Sequence, residues 1–563
     1  MHNRVKQAGK YVYGIAASVI ITLSAGLRLF FLINNWPGTN SDEGTMGLMA
    51  LHITHFTDFP VYFYGQGGTL GSLEAYMGAL MFPLFGPTVF ALRFGVLLFF
   101  ILFLITMYLL TSLLYTKKLA LLTLVLLSLG SSDLLYRIYE ALAAHAETPL
   151  FGALLILVAS KLALSAPVPG SSPARFRRLV GYGCWGGLVG LAFWNDPLTL
   201  PFILMSGVFL LIFCRHELQT PVLVSIFAGL MIGLFPVIIY NLTVSGIDKS
   251  SLSVFGFLVD ADRPVPSDSI LMRFAATFLV TFPVSTGAVP VCTMAARDAW
   301  PLSAQPGSQV LQCTTIHGVW SLALVVLWLL GVAIAIRCLR SLWRFQAVVP
   351  EKRREAVIQG ARLMLLGSAL LTLLSFALSV QAITDPWGHH RYLLAMAVAT
   401  PALLWPLWRW FGSVSLRSRF KAVSIRSLCA AVILFYLATM ALGTFQTVNQ
   451  LPGAEATMQS QQALVVKLKE QHLTRMYTDY WTCDLTAFLS QEQIICSVLD
   501  EQLQPGFNRY QPYVSVVAQS PHVAYVFHRN SPQNRQFILQ MGRDSNPPHY
   551  RITFMGDYVI YQR

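Results

Sequence analysis

Charge is what this chain has least of. Lys, Arg, Asp and Glu make up 12% of its 563 residues, about half the ~25% usual in soluble domains. Apolar residues make up 55% and the mean hydropathy is +0.58. That excludes an ordinary soluble globular chain and points to a polytopic membrane protein. Acids are the scarcer sign, 26 against 39 basic residues. The basic excess does not read as a nucleic-acid patch. It gathers in Lys117-Lys118, Arg175 to Arg178, Arg215, Arg337 to Arg354 and Arg417 to Arg426, between apolar runs, which is how cytosolic loops are marked. Cysteine is sparse as well, eight in all, and no Cys/His spacing fits a zinc site. Internal repeats and low-complexity tracts are lacking. The first apolar run, Tyr11–Ile33, is too long for a signal-peptide core, and no small-residue cleavage site follows it.

A membrane span needs about 20 mostly apolar residues. On that rule eleven are expected, at 11–33, 88–114, 119–136, 146–165, 179–195, 197–214, 221–241, 318–338, 362–381, 391–411 and 427–447. With a cytoplasmic N-terminus, this multi-pass arrangement in the inner or plasma membrane leaves the C-terminus outside. Four external segments then face one another: 34–87, 133–146, 242–317 and 382–391. The third is long and irregular and carries Asp260, Asp262 and Arg263; within it, 270–288 reads as an interfacial helix. From residue 448 the composition changes to a helical pattern followed by short β-rich runs, AYVFHR and YRITFMGDYVIYQR among them. Residues 1–447 are thus expected to form a transmembrane domain and 448–563 a small extracytoplasmic α/β domain. Cys292 and Cys313 fall in one external segment, Cys483 and Cys496 in the terminal domain; an oxidising compartment favours a disulfide for each pair.

The chain is organised around residues 40–86, NSDEGTMGLMALHITHFTDFPVYFYGQGGTLGSLEAYMGALMFPLFG. This stretch is too polar to span, yet rich in Tyr, Phe, Gly and Met. Its Asp42-Glu43 pair stands just past the first span, where a carboxylate is costly unless solvated or functional. The run SDEG…GLMALHI…FPVYFYGQ…GSLEAYMGALMFPLFG resembles the first external loop of bacterial membrane glycosyltransferases of the GT-C fold. Those most like it are the protein-mannosyltransferase-like and aminoarabinose-transferase-like enzymes (glycosyltransferase family 39-like), and a branch with a YGQ…GSLEAY pattern. The tail strings YTDYW, EQIICS and NRY are similar to tails of the same branch. The resemblance is strongest at 40–86 and 464–527.

It implies a GT-C membrane domain that moves a hexosyl or pentosyl group from a polyprenyl-phosphate donor to a lipid, glycan or protein acceptor on the external face, with inversion. Such chemistry needs a base for the acceptor proton, cations for the leaving phosphate and a water-poor pocket. The family's presumed base is the Asp of the Asp-Glu pair, here Asp42, with Glu43 orienting the loop or a partner. Asp42 could instead cap helix 44–54. Tyr64 and Gln66 suit the lining of a sugar site or plain interfacial packing. Glu74 could bind substrate hydroxyls, support Asp42, or be a solvated interfacial charge. In SSDLLYRIYEALAAHAETPLFG, His145 and Glu147 occupy the place of the family's second polar site, or pair at a helix entry. In TDPWGHHRYLLAMA, Arg391 with His390 is suited to the donor phosphate, where snorkelling to headgroups is the alternative. Some GT-C enzymes use a divalent metal; no tight acidic triad is visible here, so neither metal nor other cofactor is expected. A transporter or flippase is the competing class, although polar residues concentrate outside the spans and no inverted halves appear. A membrane scaffold is a third.

Overall fold

The structure is a computed structural model and describes residues 2–66, 70–142, 144–166, 175–243, 269–292, 307–343, 349–413, 419–543 and 549–563. Most of the expected segment 242–317, with Asp260, Asp262 and Arg263, lies outside the described residues.

The chain begins with α1 (His2–Ile33), α2 (Ser41–Thr54), α3 (Leu73–Phe85), α4 (Val89–Leu114), α5 (Lys117–Ser128), α6 (Ser132–Tyr139) and α7 (Glu147–Leu164). Among the described residues six helices are long and apolar enough to cross a membrane: Tyr11–Ile33, Val89–Leu114, Glu147–Leu164, Ser308–Trp343, Pro350–Leu378 and Val423–Glu470. Two further candidates are bent pairs. α5 and α6 meet at 86°, and Thr220–Gly233 meets Phe235–Thr243 at 58°. The first bend falls at LGSS, where Ser131 leaves the helix and caps α6 by accepting the Leu134 N–H. The expected span 119–136 therefore turns, and α6 carries Asp133 and Arg137 away from the axis of α5.

Three other expected spans coincide with helical segments outside that set. Arg175–Asn195 is rich in glycine and packs closely on Thr220–Gly233: a Cβ on Gly186 would lie 2.2 Å from the Ile226 carbonyl oxygen, and one on Gly229 2.0 Å from that of Gly183. Leu200–Phe213 is a 14-residue helix. The stretch 391–411 is divided between a 3-10 helix, Gly388–Ala399, and an α-helix, Thr400–Ser413. Residues 270–285 form a short apolar helical stretch with a π-helical turn at Thr277–Thr281.

A two-residue break at 449–450 separates the helix ending at Val448 from Leu451–Glu470. Beyond it lies a five-stranded sheet of β1 (Arg475–Thr478), β2 (Ile495–Val498), β3 (Ala524–His528), β4 (Arg551–Met555) and β5 (Tyr558–Gln562), in the order β2-β1-β3-β5-β4. β1 is parallel to both β2 and β3; β5 is antiparallel to β3 and β4. Cys483–Cys496 ties the helix Tyr480–Leu489 to β2, and Cys292–Cys313 is also bonded.

The tail does not stand apart from the rest. One hydrophobic cluster contains Leu48 and Ala50 of α2, Phe82 of α3, Phe100 of α4, and Leu464, Phe488 and Val526 of the tail. α2 is the hinge of this packing. Its glycines admit the helix Tyr480–Leu489 so closely that a Cβ on Gly44 would lie 2.5 Å from Leu485 Cα, and one on Gly47 2.6 Å from the Phe488 ring.

Candidate active site

α2 opens the site. Its cap is Asn40, whose side-chain oxygen accepts the Glu43 N–H at 3.0 Å. Asp42 is thereby spared the capping role and projects into a cleft of about 950 Å³ between this loop and the tail. Its Oδ1 accepts the Tyr480 hydroxyl, and Arg509 Nη2 at 2.8 Å. Arg509 Nε also donates to the Tyr480 oxygen at 2.7 Å, and the guanidinium lies 4.7 Å from the Phe63 ring centroid and 5.1 Å from that of Phe507. Two tail residues thus fix the Asp42 carboxylate from one side.

Glu43 faces the opposite way. It is wholly buried and takes Arg93 in a two-pronged ion pair, Nε to Oε1 at 2.7 Å and Nη2 to Oε2 at 2.6 Å, while Oε1 also accepts the Ala141 N–H at 3.0 Å. It joins α2, α4 and the loop after α6.

Asn40 links the cleft to the second external segment. Its amide donates to Glu140, whose other oxygen accepts Arg137 Nη1 at 3.1 Å. Burial pushes the Glu140 carboxyl up, with Arg137 opposing. Arg137 in turn neighbours His145, His389 and His390, and Arg391 neighbours His145 and His389. Burial, reinforced by Arg137, Arg391 and His390, holds His145 well below the usual histidine range. Its Nδ1 is buried and has no partner among the described residues, and the same holds for Arg391 Nε. Arg391 Nη2 reaches the Tyr392 hydroxyl at 3.3 Å. Arg137, paired with Glu140, and Arg391 are therefore the two cations of this group, and His145, held low, is its neutral member. His390 is differently employed. Its Nδ1 lies 2.7 Å from the Trp387 carbonyl oxygen and its Nε2 3.3 Å from that of Asp133, so it clasps α6 to the 3-10 helix.

Glu74 and Glu147 face each other in the interior. Glu74 Oε1 accepts the Ala144 N–H at 3.0 Å; its Oε2, both oxygens of Glu147 and both amide atoms of Asn195 are buried without a partner among the described residues. Burial, with Glu147 alongside, pushes the Glu74 carboxyl well above its ordinary range. Tyr64 belongs elsewhere. Its hydroxyl is shared with His52 Nδ1 and Asp58 Oδ2, each at 2.7 Å, and His52 Nε2 continues to Glu492 at 2.9 Å. Gln66 closes a turn through its N–H to the Phe63 carbonyl at 3.0 Å. Neither Tyr64 nor Gln66 lines the Asp42 cleft.

Reading the sequence for a site in the external loops missed Tyr480 and Arg509, which lie in the tail strings YTDYW and NRY. The recurrence of those strings beside the Asp-Glu loop was the available signal. It missed Asn40 as the link to Arg137 as well. Among the described residues one group of metal-ligating type draws together, Cys483, Asp484 and Cys496. Its two sulfurs are bonded to each other, so it is not a metal centre.

No protein-family model matches the chain, and no curated relative does. Among solved structures it is similar to ArnT from Cupriavidus metallidurans. The form bound to undecaprenyl phosphate aligns with a TM-score of 0.54 and 12% identity over 97% of this chain and 97% of that one. The apo form aligns with a TM-score of 0.53 and 12% identity over 99% and 98%. At that identity the likeness is one of fold: the chain is a multi-pass membrane protein of GT-C-like architecture with a small C-terminal sheet.

Proposed function

We propose that this protein is an integral-membrane glycosyltransferase that moves a sugar from a polyprenyl-phosphate donor to an acceptor hydroxyl at the external face of the membrane. The observation that carries the reading is the connection of two sites. The Asp42 cleft is joined through Asn40 and Glu140 to the group of Arg137, His145 and Arg391. A carboxylate on one side of a polar path and cations on the other is what displacement of a sugar from phosphate requires. The fold is in keeping with it, since ArnT of like architecture was crystallised with undecaprenyl phosphate.

Asp42 takes the proton of the acceptor hydroxyl as its oxygen attacks the anomeric carbon. The bond from that carbon to the phosphate oxygen breaks, the configuration inverts, and the polyprenyl phosphate departs. Arg137 and Arg391 offset the charge that develops on it. Tyr480 and Arg509 hold Asp42 Oδ1 in place. Glu43 positions α2 and His390 positions the loop that carries Arg391. Glu74 and Glu147, enclosed and outside the lining of the Asp42 cleft, are assigned to a second polar site; Tyr64 and Gln66 shape the loop between α2 and α3. The N-terminus and the basic turns are cytoplasmic, and residues 448–563 form an extracytoplasmic domain that completes the site.

The test is transfer of labelled sugar in proteoliposomes supplied with undecaprenyl-phosphate sugars and an envelope extract. Asp42→Asn keeps the shape of the side chain and removes its basicity. It should lower transfer about 10²- to 10⁴-fold at unchanged folded yield, whereas Arg391→Ala should weaken undecaprenyl phosphate binding at least tenfold. Equal transfer by wild type and Asp42→Asn would overturn the assignment of the base.

A further inference from the structure

The cleft over Asp42 has a second wall, of which the proposed chemistry uses only Tyr480 and Arg509. β1 is the middle of three parallel strands, with β2 on one side and β3 on the other. The chain therefore leaves the carboxyl end of β1 at the point where the sheet order reverses. In open α/β sheets ligands bind in the crevice beyond the strands at such a point. Here the crevice is lined by residues that follow each of the three strands: Tyr480 and Trp481 after β1, Asp500 and Glu501 after β2, Asn530 after β3.

Two residues of the lining each hold one enclosed polar atom. Gln461 is 9% exposed and gives its amide N–H to the Tyr558 hydroxyl, but its Oε1 has no partner among the described residues. Arg509, with its side chain 9% exposed, commits Nε and Nη2 to Tyr480 and Asp42 and leaves Nη1 without one. A buried acceptor and a buried donor left open are each costly unless something fills them. Beside them, Trp481 is 61% and Phe507 53% exposed. Large aromatic faces left open in a polar cleft match a partner with apolar C–H faces and hydroxyl edges. The lining carries four carboxyl groups, from Asp42, Asp479, Asp500 and Glu501, against the single Arg509 guanidinium, so an anionic partner is disfavoured.

We infer that this crevice, at the carboxyl ends of the three parallel strands of the tail, is the binding subsite for a neutral or amino-bearing saccharide that serves as the acceptor. The sugar stacks on Trp481 and Phe507, reaches Gln461 and Arg509 in the wall behind them, and thereby brings one hydroxyl to Asp42. The inference rests on the proposed transferase reading for the word acceptor, but binding is measurable without turnover.

The experiment uses the full chain in nanodiscs. Cellotetraose and a glucosamine tetramer are the neutral and amino probes, tetragalacturonate is the anionic control, and each is presented free and as its dodecyl glycoside. The neutral or the amino probe should bind in both forms, and Trp481→Ala, which alters an exposed side chain, should weaken binding of the free form about tenfold or more. Gln461→Ala should do the same. Tetragalacturonate should bind at least tenfold more weakly. Absence of binding by both the neutral and the amino probe overturns the inference. So does binding confined to the dodecyl glycosides, affinity unchanged in Trp481→Ala, or preference for the anionic probe. Binding of undecaprenyl phosphate, measured alongside in Arg391→Ala, is a separate axis. Its insensitivity would count against the transferase reading and leave the saccharide subsite standing.

Discussion

Asp42 and Glu43 are adjacent, yet one borders a cleft and the other is wholly enclosed. Removing one partner of a buried ion pair strands the other charge. Glu43→Ala should therefore lower stability by about 3–5 kcal/mol, read as a fall in thermal midpoint and folded yield, while Glu43→Ala with Arg93→Met should recover much of it. Loss of activity in proportion to folded protein is the expected pattern; loss without any fall in stability would make Glu43 a chemical participant. Asp484 supplies a pH test. It is buried, accepts the Thr45 hydroxyl at 2.6 Å, and burial pushes its carboxyl up to about 6. The folded chain keeps a proton that the unfolded chain releases near pH 4, so stability falls as pH rises from about 4 to about 6 and is flat above. Asp484→Asn has no such loss. It should be more stable than wild type at pH 8, by up to about 3 kcal/mol, with the gain gone at pH 4. A constant difference across that range would locate the titration elsewhere. The Asp-Glu dipeptide stood out in the sequence as a candidate, and the structure separates its members, Asp42 at the cleft and Glu43 enclosed. The partner of Asp42, Arg509, lies 467 residues away, and no spacing rule spans that distance.

At the scale of elements, hydropathy shows which segments are apolar but not where they bend. The α5–α6 corner depends on Ser131 taking a cap and on the Gly130 N–H reaching Thr444 Oγ1 at 3.0 Å, a contact between distant parts of the chain. The strands AYVFHR and YRITFMGDYVIYQR were legible because alternation and the turn at Gly556 are local. The docking of α2 on Tyr480–Leu489 was not, since the glycines of SDEGTMG read equally well as loop residues. That docking makes a prediction. Gly44→Ala puts a methyl against Leu485 backbone that cannot yield without moving the helix. The helix begins at Tyr480, so its displacement carries the hydroxyl off Asp42. The variant should lose thermal stability by about 1–3 kcal/mol, as overpacked sites do, and lose transfer beyond what that explains. Gly453→Ala, where a Cβ meets nothing within 4 Å, is the control that should leave both unchanged. Wild-type transfer by Gly44→Ala would show that the α2 contact does not hold the site together.

Over the whole molecule, the tail completes the packing instead of hanging from it. Leu464, Phe488 and Val526 share a hydrophobic cluster with α2, α3 and α4, Phe488 stacks on Phe82 with ring centroids 6.0 Å apart, and Asp484, Glu492 and Arg509 each bond to α2. Tolerance of truncation follows from burial, not from position near a terminus. Ending the chain at Val448 would bare Gly44, Gly47 and the face of α2 that now meets Leu485 and Phe488, and would strip two partners from Asp42. An apolar face of that extent is a liability for self-association. The truncated chain should therefore extract from membranes as aggregate, whereas Arg509→Ala, which removes one side chain from the same interface, should remain monodisperse in size-exclusion chromatography and lose transfer. The contrast separates two views of the tail. If it is an appended module that only selects an acceptor, truncation yields a well-behaved membrane protein that still binds undecaprenyl phosphate. If it is the second half of one packed unit, as the shared core and the Asp42–Arg509 pair argue, neither folded yield nor phosphate binding survives its removal.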